Sequence, residues 1–273
     1  FDLIGGYRSF TPYVDNIIIN ITTMILIIIG GLGFSVWMDI YGHRSFNKYS
    51  LHTKVVIIVT TLLILVGALC IFVFEYNNPS TLKNLSPIGK ILASFFHSIT
   101  PRTAGFNTLD NASLTTPTIF LTIILMFIGG SSGSTAGGIK TNTAGILLFT
   151  LISVIRGRED AEVFEKRIPK YLVYRALAVT MIALGLVIVV TMVLSVTENA
   201  DFLTLLFEAT SAYGTVGSTL SFTPNSTMSG RIMLILTMFA GRVGPLTLAL
   251  AFAQGAQKHK SNIKYPEDKI MVG

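Results

Sequence analysis

Charged residues are scarce in this sequence. Asp, Glu, Lys and Arg make up 12% of its 273 residues, whereas an average soluble domain carries about 25%. Hydrophobic residues make up 51%, so the composition argues against a water-soluble protein. Cysteine occurs once, as Cys70, and this sequence therefore offers no intrachain disulfide and no cysteine-based metal cluster. We interpret Cys70 as a packing residue within a hydrophobic run.

The hydrophobic residues are grouped into long runs, several of which approach the roughly 20 residues that a helix needs to cross a bilayer. We predict membrane helices near residues 14–38, 52–75, 116–155 with an interruption, 170–197 and 229–256. Two shorter amphipathic stretches, 88–99 and 202–213, are too short to span and are predicted to be re-entrant. The sequence begins with Phe1-Asp2-Leu3 rather than methionine, and we expect a fragment of a longer protein.

Basic residues lie mostly on one side of the predicted membrane. If both short stretches turn back within the bilayer, loops 39–54 and 156–170 and the tail 257–273 share a side and hold twelve of the twenty Lys and Arg residues. The opposite side has few cations: Arg8, Lys83, Lys90, Arg102 and Arg231. The positive-inside rule makes the first side cytoplasmic. We therefore interpret the net charge of +6 as a topology signal and expect no nucleic-acid partner.

The sequence contains an internal repeat with an offset of 112 residues. Thr103-Ala104-Gly105 and Thr215-Val216-Gly217 are separated by this offset, and so are residues 126–129 and 238–241. A partial third copy lies at 28–31. The repeated unit is helix, re-entrant helix, filter and helix, which suggests pseudo-symmetric units around one ion pore. We predict an all-α membrane protein with three parts: the end of one unit at 1–51, a complete unit at 52–169 and another at 170–273.

The two Thr-small-Gly segments are the candidate ion-binding residues. A cation that crosses a bilayer needs its water shell replaced, and backbone carbonyls of short extended segments do this in potassium channels. Glycine permits the backbone angles that point successive carbonyls toward an ion. We predict that K⁺ binds the carbonyls of Thr103, Ala104, Gly105, Thr215, Val216 and Gly217. The alternative is that both segments are ordinary turns after surface helices.

A run rich in glycine and serine interrupts the predicted helix 116–155. It consists of Gly129, Gly130, Ser131, Ser132, Gly133, Ser134, Thr135, Ala136, Gly137 and Gly138. Only about a dozen apolar residues precede it, which places the break near the middle of the membrane. Irregular backbone at that depth is tolerated where it is buried in protein or lines a cavity. We favour a mobile gate below the filter over a rigid kink. Ile139, inserted before Lys140-Thr141, argues against a phosphate-binding loop.

Two of the ionisable residues within the predicted membrane segments are candidates for a functional role. Arg242 occupies the position of Gly130 in the 112-residue register, and an intramembrane arginine is a functional hypothesis by default. On the pore side it would place a fixed positive charge in the path of the cation. The alternative is a structural pairing with a backbone carbonyl or a carboxylate. Glu208 lies in the second short stretch, and we interpret it as a hydrogen-bonding anchor, with a contribution to the field behind the filter as the alternative.

These motifs together resemble the Trk/Ktr/HKT family of potassium transporters, and within it the membrane subunit of bacterial Ktr systems. The resemblance rests on residues 103–108, 129–141 and 215–218 and on Ala240-Gly241-Arg242-Val243-Gly244-Pro245. It implies four repeats of helix, pore helix and helix around a single pore. This sequence would contain the end of the second repeat and all of the third and fourth.

The resemblance also implies how such a pore works and what it binds. Residues 129–138 would form the gating loop, with Arg242 as the basic residue beside it. K⁺ would be the transported ion, and Na⁺ is a candidate activator. The expected setting is a bacterial plasma membrane, with membrane lipid around a homodimer that rests on a cytoplasmic ring of nucleotide-binding regulatory subunits.

From these residues we predict potassium transport through a channel-like pore, without enzymatic chemistry and without a covalent cofactor. Glycine at both visible filter positions favours potassium, because the resemblance implies serine there in members that pass sodium. The rival hypothesis is a membrane-embedded enzyme or scaffold in which the Gly/Ser run only serves packing. Against it, the predicted membrane segments contain no paired carboxylates, metal-ligand cluster or Ser/His/Asp set.

Overall fold

The computed structural model describes residues 9–158 and 160–244, and within them the chain is built from α-helices and one short hairpin. In chain order the helices are α1 Ile17–Leu32, α2 Phe34–Gly42, α3 Leu51–Glu75, α4 Pro87–Ile99, α5 Thr116–Phe127, α6 Thr141–Ile155, α7 Lys170–Thr197, α8 Phe202–Tyr213 and α9 Met228–Val243. The strands β1 Glu162–Val163 and β2 Lys166–Arg167 pair antiparallel between α6 and α7.

Two of the described helices, α3 and α7, are long and apolar enough to cross a membrane on their own. Their outward faces carry exposed apolar side chains, which suit lipid: Leu65, Leu69 and Val73 in α3, and Met181, Val189, Met192 and Val196 in α7. The shorter apolar helices α5 and α6 flank the Gly/Ser run. The predicted helices near 52–75 and 170–197 and the interrupted helix near 116–155 are therefore confirmed. The predicted helix near 229–256 begins as α9, and its remainder lies outside the described residues.

The first predicted helix, near 14–38, is not continuous. The chain bends by 94° between α1 and α2, at Gly33, whose φ is 87°. Residues other than glycine rarely adopt this backbone conformation. An added Cβ at Gly33 would also lie 2.6 Å from the carbonyl oxygen of Ser132. The bend thus coincides with the place where the Gly/Ser run lies against α1 and α2, and the prediction of one helix near 14–38 is corrected to two helices.

The hairpin is a small departure from the all-α prediction. Phe164 and Glu165 form its turn with positive φ values of 51° and 60°. Val163 belongs to a buried cluster with Val55 and Val59 of α3. This packing holds the loop between α6 and α7 against the start of α3. Each strand has only two residues, too few to produce a strand pattern in the sequence.

The two helices predicted to be re-entrant, α4 and α8, pack against several neighbouring helices. α4 packs against α3 and α1, and α8 packs against α5, α7 and α9. Ser86 begins α4 by accepting a hydrogen bond from the amide of Gly89 at 2.9 Å. α3 and α4 approach closely because Gly67 leaves room for Ser98, whose hydroxyl donates to the carbonyl of Ile64 at 2.9 Å. Each short helix ends at one Thr-small-Gly segment.

Candidate functional site

The segments 103–105 and 215–217 share a backbone conformation that the sequence does not reveal. In each, the threonine and the glycine have positive φ while the middle residue does not: Thr103 61° and Gly105 72°, Thr215 51° and Gly217 87°. Left-handed threonine is uncommon and costs energy that surrounding contacts must offset. The same strained pattern at the same place in both copies indicates a shared structural requirement.

Hydrogen bonds from the preceding short helix hold each segment. The amide of Gly105 donates to the carbonyl of Thr100 at 3.3 Å, and the amide of Val216 donates to the carbonyl of Ser211 at 2.9 Å. Hydroxyls at the helix ends then fix the residue after each glycine. Thr100 donates to the carbonyl of Phe106 at 2.5 Å, and Ser211 donates to the carbonyl of Ser218 at 2.6 Å. The acceptors Phe106 and Ser218 are 112 residues apart and the donors Thr100 and Ser211 are 111 apart, so these contacts follow the repeat to within one residue.

The two segments lie against each other. An added Cβ at Gly105 would collide with the carbonyl oxygen of Val216 and would lie 3.3 Å from the carbonyl carbon of Gly217. Glycine at position 105 is therefore required both for its φ and for this close approach. Two carbonyl-bearing segments from different repeats are brought together at one point.

Cavities adjoin the segments at different residues. A cavity of about 830 Å³ is lined by both glycines, Gly105 and Gly217, together with polar side chains that include Asp110 and Glu208. A second cavity, of about 400 Å³, is lined by Thr103 and Ala104 with Arg102, Gly30, Gly31 and Thr135 among its walls. Segment 103–105 therefore separates two spaces, of which the larger has acidic walls.

Residues 129–138, called the Gly/Ser loop below, form a closed structure rather than an open turn. Ile128 and Ile139 pair as a parallel bridge. The amide of Gly129 donates to the carbonyl of Ile139 at 2.8 Å, and the amide of Thr141 donates to the carbonyl of Gly130 at 3.0 Å. Within the loop, Ser134 donates to the carbonyl of Ser131 at 2.6 Å. These bonds satisfy backbone groups that a break in a membrane helix would otherwise leave without partners.

The Gly/Ser loop contacts segment 215–217 directly. An added Cβ at Gly137 would collide with the side-chain hydroxyl of Thr215 and lie 3.0 Å from the carbonyl oxygen of Gly214. At Gly138, whose φ is 67°, an added Cβ would lie 3.5 Å from the Cα of Gly214. The glycines at the end of the loop thus allow it to lie beneath the segment.

The other side of the loop is tied to the break between α1 and α2. The amide of Ser131 donates to the carbonyl of Gly31 at 2.8 Å, and the amide of Phe34 donates to the carbonyl of Gly133 at 3.1 Å. Thr135 donates through its amide to the carbonyl of Gly30 at 3.4 Å. The sequence pointed to residues 28–31 only as a partial copy of the repeat, and their role in holding the loop was not predicted.

Arg242, in the last turn of α9, donates a hydrogen bond to the carbonyl of Thr135 in the Gly/Ser loop. Its side chain is otherwise exposed. The pairing with a backbone carbonyl is the arrangement we gave as the structural alternative, and it also places the positive charge at the loop, beside the smaller cavity that Thr135 lines. Lys140 adds a second cation, since its ammonium donates to the carbonyl of Ala136.

Glu208 has the anchoring contacts that we expected. Its carboxylate accepts hydrogen bonds from the hydroxyl of Thr219, from the amide of Leu220 at 3.0 Å and from the hydroxyl of Thr223 at 3.0 Å. The side chain is 4% exposed. It therefore fixes the chain that follows segment 215–217 onto α8, at the wall of the larger cavity.

Two further glutamates accept hydrogen bonds from the first residues of other helices, and neither was predicted from the sequence. Glu75, at the end of α3, accepts from the amide and the hydroxyl of Thr115, at 2.8 and 2.7 Å. Glu198, at the end of α7, accepts from the amide of Thr227 at 3.0 Å and from its hydroxyl. Thr115 and Thr227 are the N-cap residues of α5 and α9, where a negative charge is favourable. The feature of the sequence that could have indicated them is a single glutamate at the end of a long apolar run.

Arg102 is not where we expected it. We predicted it on the outer side of the membrane, but the structure buries it to 7% exposure beside the middle of α3. One guanidinium nitrogen donates to the carbonyl of Thr60 at 3.3 Å. The short helix α4 carries the chain inward before segment 103–105, and Arg102 follows it to that depth. Its position next to the Thr-small-Gly motif was the signal in the sequence.

Comparison with known proteins adds the family. Residues 1–262 match the model of the TrkH family, described as cation transport protein. The chain is 42% identical over 261 residues to "Ktr system potassium uptake protein B" of Bacillus subtilis (strain 168), covering 96% of this chain and 58% of that protein. It is 40% identical over 277 residues to "Potassium/sodium uptake protein NtpJ" of Enterococcus hirae, covering 100% and 61%.

A solved structure shares the fold. The crystal structure of the potassium transporter TrkH from Vibrio parahaemolyticus matches with a TM-score of 0.74 and 21% identity, over 92% of this chain and 55% of that one. The chain thus spans little more than half the length of these relatives. Because the family model covers nearly all of the sequence, the chain belongs to the TrkH family of cation transport proteins.

Proposed function

We propose that the chain forms part of a pore for potassium uptake across a bacterial plasma membrane, with the carbonyls of Thr103–Gly105 and Thr215–Gly217 as the ion-binding groups. The observation that carries the proposal is the meeting of these two segments, with matching positive φ values, at Gly105 and Val216. Rings of backbone carbonyls replace the water shell of a potassium ion. Two segments supply part of such a ring, and the remainder would come from other parts of a longer protein.

The surroundings of the segments suit a cation. α4 and α8 end directly before them, and the C-terminal end of a helix carries a partial negative charge. Asp110 and Glu208 line the larger cavity and would raise the local concentration of cations. Potassium is the proposed ion because the relatives are named for potassium or potassium/sodium uptake, and sodium is proposed as an activator. No covalent step and no covalent cofactor is needed.

We further propose that the Gly/Ser loop gates this pore. The proposal is supported by its contacts with segment 215–217 on one face and with α1 on the other. A second arrangement, in which the bonds from the loop to Gly30 and Gly31 and from Arg242 to Thr135 are broken, would open the path. The pore is proposed to act as a homodimer on a cytoplasmic ring of nucleotide-binding subunits. The basic loops 39–54 and 156–170 are the surfaces on this chain that such a ring could contact.

Rubidium uptake tests the ion-binding assignment. In potassium-starved cells that lack other uptake systems, the full-length protein is expected to take up ⁸⁶Rb⁺, and Gly217→Asp is expected to reduce the rate at least about tenfold. The reason is that a charged side chain at φ 87° would displace the carbonyls. Gly42→Asp is the matched control, since nothing lies within 4 Å of an added Cβ at Gly42. Uptake by Gly217→Asp at the wild-type rate would contradict the assignment of segment 215–217 as an ion-binding segment.

Deletion of residues 131–136 tests the gate. The deletion removes the part of the Gly/Ser loop that bonds to Gly31 and Arg242. The ⁸⁶Rb⁺ flux through the full-length protein is expected to rise several-fold, because a rate depends exponentially on its barrier and these bonds contribute to the barrier. The same deletion combined with Gly217→Asp controls for leakage outside the pore and is expected to show no flux. Unchanged flux in the single deletion would favour a rigid kink, which is the role of the loop in the rival scaffold hypothesis.

A further inference from the structure

Arg102 is a buried cation beside segment 103–105, and nothing in the proposed ion path accounts for it. It directly precedes Thr103, it is 7% exposed, and it reaches the middle of α3 through its bond to the carbonyl of Thr60. Ionisable side chains at this depth in a membrane protein are costly and are retained for a reason. We propose that Arg102 supplies a fixed positive charge behind segment 103–105 that weakens cation binding there and so sets the affinity of the pore. This inference rests on the proposed transport function.

The charge of Arg102 is not neutralised by the described part of the chain. Within residues 9–158 and 160–244, the acidic members of the ion pairs are Asp39, Asp160 and Glu162. None of these ion pairs includes Arg102. The second guanidinium nitrogen, NH2, is buried and has no hydrogen-bond partner among the described residues. A buried donor without a partner calls for an explanation. A charge that must act on its neighbourhood, rather than close a salt bridge, provides one.

The repeat shows what this position does elsewhere. At the 112-residue offset, Arg102 corresponds to Gly214. Gly214 packs closely under segment 215–217, where an added Cβ would lie 2.6 Å from the carbonyl oxygen of Met126, and the Gly/Ser loop covers it. Under segment 103–105 the equivalent space is the smaller cavity, which Arg102 lines together with Gly30 and Gly31. The two repeats thus differ by one charge at equivalent places, because a buried arginine precedes segment 103–105 and a glycine precedes segment 215–217.

The size of the effect follows from Coulomb's law. Two unit charges about 10 Å apart, at an effective dielectric constant of about 20, repel each other enough to change a binding constant roughly tenfold. Salt screens the interaction little because the guanidinium is buried. Arg102 is therefore a positioning and affinity-setting residue, since it contacts α3 and acts on the ion through space and through the segment that it precedes.

The concentration dependence of ⁸⁶Rb⁺ uptake by the full-length protein tests the inference. Arg102→Gln removes the charge and is expected to lower the half-saturation concentration roughly tenfold. Arg102→Lys keeps the charge and is expected to stay within about twofold of the wild type. Arg231→Gln is the matched control, because Arg231 is exposed at the start of α9 and its charge is screened. Arg102→Met, a flexible neutral side chain, is a second variant in case glutamine is not tolerated.

The outcomes separate the inference from the function on which it rests. Absence of uptake by the wild-type protein would refute the transport function itself. Wild-type uptake combined with unchanged half-saturation in the neutral variants, whatever their maximal rate, would overturn only the role of Arg102. Failure of both neutral variants to reach the membrane, when Arg102→Lys reaches it, would assign Arg102 a structural role and overturn the inference as well.

Discussion

At the scale of single residues, Gly105 has two roles, one in the backbone conformation of its segment and one in the contact with segment 215–217. Glycine at position 105 was predicted from the need for unusual backbone angles, and its φ of 72° agrees. Its second role, the close approach to the carbonyl of Val216, could not be predicted, because it involves a residue 111 positions away in another repeat. The same limit applies to Arg102, whose partner on α3 lies 42 positions upstream.

Arg242 gives a prediction at this scale. Its guanidinium donates to the carbonyl of Thr135, so Arg242→Gln removes both a positive charge and a tie on the Gly/Ser loop. We expect ⁸⁶Rb⁺ flux to rise roughly tenfold, the change that loss of one charge about 10 Å from the ion implies. The flux of Arg242→Lys is expected to lie between those of the wild type and Arg242→Gln, because lysine keeps the charge but loses the planar geometry of the guanidinium.

The matched control for Arg242→Gln is Arg231→Gln, which changes the same side chain near the other end of the same helix. A flux equal to the wild type in Arg242→Gln, with normal protein in the membrane, would leave Arg242 with the structural pairing alone.

At the scale of secondary-structure elements, apolar length identified the helices and missed how they are interrupted. The break at 129–138 was visible because five glycines fall within ten residues. The 94° bend at Gly33 was not, because apolar residues continue on both sides and a single glycine is tolerated in many helices. The bend depends on the carbonyl of Ser132, which the Gly/Ser loop brings against it. Contacts between repeats, rather than local propensity, decide such features.

Helix starts lead to a prediction about stability. Glu75 is fully buried and also accepts from Asn78 at 2.7 Å and from the hydroxyl of Thr81 at 2.6 Å, in addition to its bonds with Thr115. In Glu75→Gln an amide N–H would face these donors. We expect the free energy of unfolding to fall by about 2 kcal/mol, as is typical when a hydrogen-bonded charged group is replaced. The measurement is the Tm of the detergent-purified full-length protein, which is expected to be lower.

Glu198→Gln is the matched comparison for Glu75→Gln. Its bonds with Thr227 are exposed to solvent, so a smaller loss, about 0.5–1 kcal/mol, is expected. Equal Tm values for the two variants would contradict the view that burial, and not only helix capping, determines the contribution of Glu75.

At the scale of the whole molecule, the chain is a helical membrane protein of the TrkH family. The apolar runs and the low charge content indicated the membrane, and the family match and the shared fold agree. The arrangement of the units around one pore remains a prediction, because the chain covers about 58% of the relative from Bacillus subtilis. The division at 1–51, 52–169 and 170–273 is likewise a prediction from the repeat.

The distribution of basic residues predicts the orientation in the membrane. In a full-length protein with Cys70→Ala, Ser45→Cys is expected to react with an impermeant maleimide only after the cells are permeabilised, whereas Ser80→Cys is expected to react in intact cells. Both serines are exposed, and they lie on either side of α3. The reverse labelling pattern would invert the topology and, with it, the side from which ions enter. The full-length protein with Cys70→Ala and neither introduced cysteine serves as the control for background labelling.

The two glutamates at the ends of α3 and α7 have a consequence for how the repeats are compared. Thr115 and Thr227 keep the 112-residue spacing of the repeat, but Glu75 and Glu198 lie 123 positions apart. Glu75 is the last residue of α3 and Glu198 directly follows α7, so both acids lie at a helix end. The connection to the next helix is longer after α3 than after α7. The two repeats therefore share an interaction rather than a position in the 112-residue register. An alignment of the two halves by identity would therefore pair neither glutamate with its counterpart.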